Sequence, residues 1–184
     1  MRKLDLYQTR EEVLDLLRQN QIMFEYHEHE RAHTIDDCLK MPFITEDVTI
    51  CKNILLCNRQ QTVYYLLLLK PLTPFRTSVV SKLLGSSRLS FAPEDTLEKM
   101  LHLTSGSVSP LGLMFDQENR IQLCYEKGIT DTERIAFHPC DNHATVIFSQ
   151  HVFWNQVIPA LNIKYPVCID LSEKIDETQG NVVK

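Results

Sequence analysis

The chain has 184 residues, of which 43% are hydrophobic and 23% charged, and its formal net charge is −5. Composition and length are those of one ordinary globular domain. The acidic balance excludes strong non-specific nucleic-acid binding, which needs a basic surface, but it leaves room for a local basic patch that contacts one end of an RNA.

The N-terminal third is predicted to contain a helix, a strand and a second short helix. A capping box at Thr9 and apolar residues at helical spacing predict a helix over residues 9–20. Residues 22–26 are typical of a strand that leads into a histidine-rich turn. Thr34 resembles a second helix start, and Pro42 keeps that helix short.

Two apolar runs, residues 49–57 and 62–69, flank a polar turn and predict a β-hairpin with both faces covered. The second run is too short to span a bilayer. Further predictions are a helix over 75–84, a strand over 88–91 and a helix that opens at Pro93.

A Ser- and Gly-rich loop over 104–110 precedes the C-terminal elements. These are a second hairpin, with strands over 111–115 and 120–125, and three further strands over 134–138, 144–148 and 165–171. A last helix is predicted from Ser149 towards Leu161, and Pro159 bends it or ends it early. The recurring hairpins favour an α+β fold with a mixed, largely antiparallel sheet flanked by helices. We expect one domain over residues 1–171 and a disordered polar tail over 172–184.

Lys52 and Asn53 interrupt an otherwise apolar strand and point to opposite faces of it. One interpretation is a lysine at a strand end whose ammonium reaches water. The other is a cation at a pocket floor, directed at a phosphate or an ester oxygen, because burying an unpaired ammonium is costly. The pattern alone leaves both open.

The loop Gly-Ser-Val-Ser-Pro at 106–110 offers successive backbone N–H groups that can bind an oxyanion, although such loops are more often plain connectors. Its serines do not form the G-x-S-x-G nucleophile motif.

Histidines and cysteines supply further candidates. His27, His29 and His33 have a spacing that could hold a metal, but histidines in a solvated turn are the commoner case. His138 ends an apolar strand, either at a pocket rim or in a structural role. Cys51 lies beside a lysine, which can activate a thiol, but a buried inert thiol is more common. The six cysteines include no C-x-x-C pair and no signal peptide is apparent, so we expect free thiols and a cytoplasmic protein.

Four segments occur in an order that is informative as a set. They are KNILL at 52–56 with YYL at 64–66, RLSFA at 88–92, GSVSPLGL at 106–113, and FHP at 137–139 followed by Asn142, Ala144 and Thr145. Together they resemble the YbaK/prolyl-tRNA synthetase-associated editing domain family, over residues 9–171, and its free-standing branch in particular. Residues 27–33 differ from the family's usual segment, which often carries prolines there.

The resemblance implies a compact α+β domain that hydrolyses alanine wrongly attached to proline tRNA. A synthetase pocket for proline rejects a smaller amino acid poorly, because each missing carbon is worth only ~1–3 kcal/mol, whereas a second, smaller pocket admits alanine and excludes proline. No cofactor or metal is implied. The implied partners are the acceptor end of mischarged tRNA(Pro) and, transiently, prolyl-tRNA synthetase. We expect a monomer without membrane contact.

The resemblance also assigns roles to residues. Lys52 would be the catalytic residue, in contact with the ester or the terminal phosphate. The substrate-binding residues would be Asn53, which orients the substrate, the backbone of Gly106, Ser107 and Ser109, His138 at the border, and Thr34 and His27. The family has no obvious enzyme nucleophile, which favours attack by water helped by positioning and by ribose hydroxyls.

Two other hypotheses stay open at this point. The chain could be a non-catalytic aminoacyl-tRNA-binding or regulatory relative, which would bind its substrate without turnover. It could instead be a metal hydrolase that uses His27, His29 and His33, which metal analysis of the purified protein would reveal.

Overall fold

The computed structural model describes residues 5–172, which form two mixed sheets of nine strands in all, five longer helices and three short 3₁₀ helices at Ser105–Ser107, Pro110–Phe115 and Lys127–Thr130. The strands are β1 Glu25–Glu28, β2 Val48–Ile50, β3 Lys52–Asn58, β4 Tyr64–Leu69, β5 Leu89–Phe91, β6 Ile121–Glu126, β7 Arg134–Phe137, β8 Ala144–Ser149 and β9 Val167–Ile169. The helices are α1 Leu6–Gln19, α2 Ile35–Leu39, α3 Thr77–Leu83, α4 Glu94–Leu101 and α5, which joins Gln150–Val152, a π-helical turn at Phe153–Val157 and Ile158–Ala160. The predicted tail lies outside the described residues apart from its first residue.

One sheet has the order β1-β8-β7-β2 and the other β5-β3-β4-β6-β9. Among the described strands, β2–β7, β4–β6 and β6–β9 pair in parallel and the other four pairings are antiparallel. The α+β prediction with flanking helices is confirmed, but the single expected sheet is two sheets.

Residues 49–57 do not form one strand as predicted. β2 pairs with β7 in the first sheet and ends at Ile50, whereas β3 begins at Lys52 and pairs with β4 in the second. The chain therefore passes from one sheet to the other at Cys51. Lys52 is the first residue of its strand, at the junction of the two sheets.

The predicted second hairpin is also wrong. Pro110–Phe115 is a 3₁₀ helix, begun by the Ser109 hydroxyl, which accepts a hydrogen bond from the Leu111 N–H, and by Pro110 in its first turn. Only the second half of the predicted hairpin is a strand, β6, and it pairs in parallel with β4.

Helix starts follow local capping. Asp5 caps α1, so that this helix begins three residues before the predicted Thr9. Thr34 caps α2 as predicted, in a reciprocal capping box with Asp37. The last helix ends at Ala160, one residue after Pro159.

Each sheet is covered on both faces. The main core lies between the sheets, closed by α1 and α5, with Leu14, Leu66, Phe137 and Phe153 among its fully buried side chains. A second cluster lies under α3 on the outer face of the five-stranded sheet, and a third under α2 on the outer face of the other. No helix within residues 5–172 is long and apolar enough to cross a bilayer.

Candidate active site

A cavity of about 170 Å³ lies at the junction of the two sheets. Its walls come from the start of α2, the β2–β3 crossing, the loop after α4 and the end of β7. The lining residues are Ala32, His33, Thr34, Ile35, Cys38, Ile50, Cys51, Lys52, Asn53, Ser105, Gly106, Val108 and His138. The fold therefore brings together Lys52, Asn53, Gly106, Thr34 and His138, which the sequence had proposed as one pocket.

Lys52 is held by the loop that follows β4. Its half-buried ammonium donates a hydrogen bond of 2.8 Å from Nζ to the carbonyl oxygen of Thr73. Burial lowers the pKa of Lys52, and the carboxylate of Glu126 acts in the opposite direction. An ammonium has three N–H donors, so the bond to Thr73 leaves others that can bind a substrate oxygen.

Glu126 and Thr73 are site residues that the sequence analysis missed. The buried Glu126 carboxylate accepts bonds of 2.9 Å from the Lys70 N–H and from the Thr73 hydroxyl, and it thereby fixes the loop whose carbonyl holds Lys52. Glu126 ends β6, while Lys52 begins β3 on the other side of β4. A glutamate at the end of an apolar strand was the only local signal.

Asn53 carries an unused acceptor. Its Nδ2 donates to the Val108 carbonyl oxygen at 2.9 Å and so ties β3 to the loop after α4. Its Oδ1 is buried and has no hydrogen-bond partner among the described residues. Because a buried unpaired oxygen costs about 1–3 kcal/mol, this atom is suited to receive an N–H from a bound ligand.

His138 and Cys38 form a neutral pair at the cavity wall. His138 Nδ1 lies 2.8 Å from the Ala144 carbonyl oxygen, which can only accept, so Nδ1 carries the proton. Nε2 then accepts from the Cys38 thiol, with the two atoms 3.6 Å apart. Burial lowers the pKa of His138, which keeps the ring neutral.

The cavity cysteines are thiols rather than thiolates. Burial, with a contribution from Asp37, raises the pKa of Cys38 to about 11, and burial raises that of Cys51 further. Since the thiolate is the nucleophile, neither side chain is activated for attack at neutral pH. Burial therefore favours the second interpretation of Cys51, an inert thiol.

Thr34 contributes to the wall mainly through its cap. Its hydroxyl accepts from the Asp37 N–H at 3.1 Å, and Asp37 Oδ2 accepts from the N–H groups of His33 and Thr34. These bonds fix the backbone that borders the cavity at the start of α2.

The serine–glycine loop lines the cavity in part through other residues than those predicted. Gly106 lines the cavity, and a Cβ there would come within 3.3 Å of Asn142 Nδ2. Ser107 and Ser109 are fully buried and do not line it, because their hydroxyls cap 3₁₀ helices. Ser105 and Val108 take those places.

His27 lies outside the cavity. Its ring stacks on Phe43 with centroids 4.1 Å apart. The neighbouring His29 has its Nε2 at 2.9 Å from the Thr145 hydroxyl, and His33 lines the cavity. Within residues 5–172, no group of three His, Cys, Asp or Glu side chains is placed to hold a metal ion, so the metal-site hypothesis finds no ligand set there.

The model of the aminoacyl-tRNA editing domain matches residues 29–153, which include all the lining residues of this cavity. This chain belongs to that family. The chain is 31% identical over 141 residues to the prolyl-tRNA editing protein ProX of Acetoanaerobium sticklandii, an alignment that covers 77% of this chain and 85% of ProX. It is 26% identical to prolyl-tRNA synthetase associated domain-containing protein 1 of Danio rerio, over 74% of each chain.

The fold is shared with solved structures. One, described as a candidate trans-editing enzyme for prolyl tRNA synthetase, superposes with a TM-score of 0.68 over 90% of this chain and 98% of its own, at 13% identity. The family resemblance expected from the four sequence segments is thereby confirmed.

Proposed function

We propose that this chain is a trans-acting deacylase that hydrolyses the ester of mischarged tRNA(Pro), with alanine as the amino acid removed. The observation that carries the proposal is a small cavity lined by two adjacent polar residues. The Lys52 ammonium keeps N–H donors beyond the one bonded to Thr73, and the buried Asn53 Oδ1 has no partner among the described residues. The names of the relatives ProX and the trans-editing enzyme support tRNA(Pro) as the substrate.

Cavity size supports alanine. The volume of about 170 Å³ is well below the ~300–1,000 Å³ of pockets that hold drug-sized ligands. A site of this size suits a small aminoacyl group, and we propose that its walls admit alanine and reject proline. Such a pocket completes the discrimination that a synthetase pocket built for proline cannot achieve, since the smaller amino acid also fits that pocket.

The chemistry follows from groups that bind rather than attack. Water adds to the ester carbonyl carbon, and the carbonyl oxygen becomes an oxyanion. Collapse breaks the bond to the ribose oxygen, which takes up the proton that the attacking water loses and leaves as a hydroxyl, while the alanine leaves with its carboxyl group. The free N–H donors of Lys52 stabilise the oxyanion or the adjacent phosphate. The Asn53 Oδ1 accepts from the α-ammonium of the alanyl group and so orients the ester.

The proposal includes action as a monomer in the cytoplasm, with transient contact to prolyl-tRNA synthetase. A single chain supplies every wall of the cavity, so no second copy is needed to complete the site. Size-exclusion chromatography with light scattering measures the mass, and a mass of two chains would contradict the monomer.

The test is the release of labelled alanine from alanyl-tRNA(Pro), with prolyl-tRNA(Pro) in parallel. Lys52→Ala should lower kcat/KM by about 10²–10³-fold, the usual cost of removing one oxyanion donor. The control is Lys82→Ala, which removes an exposed lysine on α3. Full activity of Lys52→Ala would remove Lys52 from the mechanism. Stoichiometric binding of alanyl-tRNA without release would favour the non-catalytic relative.

A further inference from the structure

The end of the five-stranded sheet that lies away from Lys52 carries arginines on three strands. Arg59 follows β3, Arg88 precedes β5 and Arg120 precedes β6. In the strand register Asn58 pairs with Leu89, and Tyr64 pairs with Ile121. Because these positions are the ends of neighbouring strands, the three arginines lie along one edge, which we call the arginine edge (Arg59, Arg88 and Arg120).

A second cavity opens at this edge. Its volume is about 630 Å³, and its lining includes Arg59, Arg88, Gln60, Ser90 and Phe91 but no carboxylate. It is much larger than the cavity at Lys52, and nothing in the deacylation chemistry uses it. An open, acid-free hollow between two arginines is suited to a polyanion.

Two of these guanidinium groups are not neutralised. Arg59 and Arg88 are exposed, and the structure shows no ion pair or side-chain hydrogen bond from either to another described residue. By contrast, Arg134 is bonded to Glu25 and Asp47. In a chain of net charge −5, this concentration of free positive charge is local.

Arg120 and Phe91 add planar surfaces beside these charges. The Arg120 guanidinium lies 5.4 Å from the centroid of the Tyr64 ring, and it approaches Glu118 at 3.9 Å. The Phe91 side chain is 62% exposed, and Phe75 holds it edge-on with centroids 5.9 Å apart. Arginines bind phosphates with a planar fork, and exposed aromatic rings stack on unpaired bases.

We propose that the arginine edge and Phe91 dock the sugar–phosphate backbone of the tRNA whose aminoacyl end occupies the cavity at Lys52. The identity of the RNA rests on the proposed function, whereas the affinity for an RNA backbone rests on the charges alone. Asn58 lies six residue steps along β3 from Lys52, which at ~3.3 Å per step gives a span of about 20 Å. A free aminoacyl ester cannot reach both places, but a tRNA can.

The experiment compares Arg59→Ala/Arg88→Ala with Arg18→Ala, which removes an exposed arginine on α1. Binding of uncharged tRNA(Pro) is measured from low to physiological salt. Loss of two phosphate contacts should lower the slope of log K against log[salt] by roughly 1.4–1.8 and weaken binding at least tenfold at low salt. Arg18→Ala should match the wild type, and Tm should be unchanged in both variants.

A second measurement separates docking from catalysis. The double variant should raise KM for alanyl-tRNA(Pro) at least tenfold with kcat unchanged, and it should hydrolyse a short alanylated CCA-end oligonucleotide as fast as the wild type. An equal loss on the oligonucleotide, or an unchanged salt slope, would overturn the proposal. So would normal tRNA binding with lost capture by prolyl-tRNA synthetase, which would assign the edge to a protein partner.

The two proposals fail in distinguishable ways. Arginine-dependent tRNA binding by a wild-type protein that releases no alanine would remove the deacylase function and keep the docking surface. Alanine release with no dependence on Arg59 or Arg88 would keep the deacylase function and remove the docking surface.

Discussion

Replacing Glu126 with glutamine removes one buried negative charge and keeps the size of the side chain at the end of β6. The carboxylate accepts from the Lys70 N–H and the Thr73 hydroxyl, both at 2.9 Å, and the Thr73 carbonyl in turn accepts from Lys52 Nζ. Glutamine has one acceptor oxygen, so one of the two bonds to the carboxylate is replaced by a poorer one. The variant therefore tests whether Glu126 sets both the position and the protonation of Lys52.

Glu126→Gln should change both the stability of the fold and the pKa of Lys52. A hydrogen bond to a charged group contributes about 1.5–3 kcal/mol, so Glu126→Gln should lower the free energy of unfolding by about 2 kcal/mol and Tm by roughly 4–8 °C. Burial lowers the pKa of Lys52 and Glu126 opposes that shift. Without the carboxylate the pKa of Lys52 falls further, and the ammonium loses its proton at a lower pH.

The assay is kcat/KM for alanyl-tRNA(Pro) between about pH 6 and 10, corrected for spontaneous ester hydrolysis. The alkaline limb of the profile should move to lower pH in Glu126→Gln. Glu133→Gln makes the same charge change at an exposed position and should leave the limb in place. An unmoved limb in Glu126→Gln would refute the electrostatic link, and an unchanged Tm would refute the anchoring role of the carboxylate.

Three further predictions concern the cavity wall. Asn53→Ala removes the hydrogen bond to the Val108 carbonyl, so urea unfolding should show a loss of about 1 kcal/mol in the free energy of unfolding. Steady-state kinetics should show a higher KM for alanyl-tRNA(Pro), and an unchanged KM would contradict the orienting role. Cys38→Ala should retain kcat within about threefold, because a thiol with a pKa of about 11 is not the nucleophile, and a hundredfold loss would contradict this. Burial holds the pKa of His138 below 6.5, so at acidic pH the histidine is protonated more readily in the unfolded chain than in the folded one. The free energy of unfolding should therefore fall as the pH drops below 6.5. Urea titrations at pH 5 and 7 check this, and a pH dependence that His138→Asn leaves unchanged would contradict it.

The site residues that could be predicted are those that stand out from their neighbours in the sequence. Lys52 and Asn53 are polar residues in an apolar strand, and Thr34 stands three residues before an aspartate, as in a helix cap. All three line the cavity. Glu126 was missed because its contacts with Lys70 and Thr73 span more than fifty positions.

The errors in the fold have the same origin. Alternation of side chains continues through Cys51, so the sequence does not show that β2 and β3 belong to different sheets; only their pairing with β7 and β4 does. Short apolar runs do not distinguish a strand from a 3₁₀ helix, which explains Pro110–Phe115. The backbone of Ser109 was proposed to line the pocket, but Ser109 is buried as the cap of that helix and does not line it.

The most direct test of the central claim is the rate of hydrolysis of tRNA(Pro) charged in turn with alanine, serine, cysteine and proline, by the wild type and by Lys52→Ala. We predict rapid release of alanine, a prolyl ester that survives at its spontaneous rate, and a loss of about 10²–10³-fold in the variant. Hydrolysis of prolyl-tRNA(Pro) as fast as alanyl-tRNA(Pro), or an alanyl ester that decays no faster with protein than without it, would contradict the account.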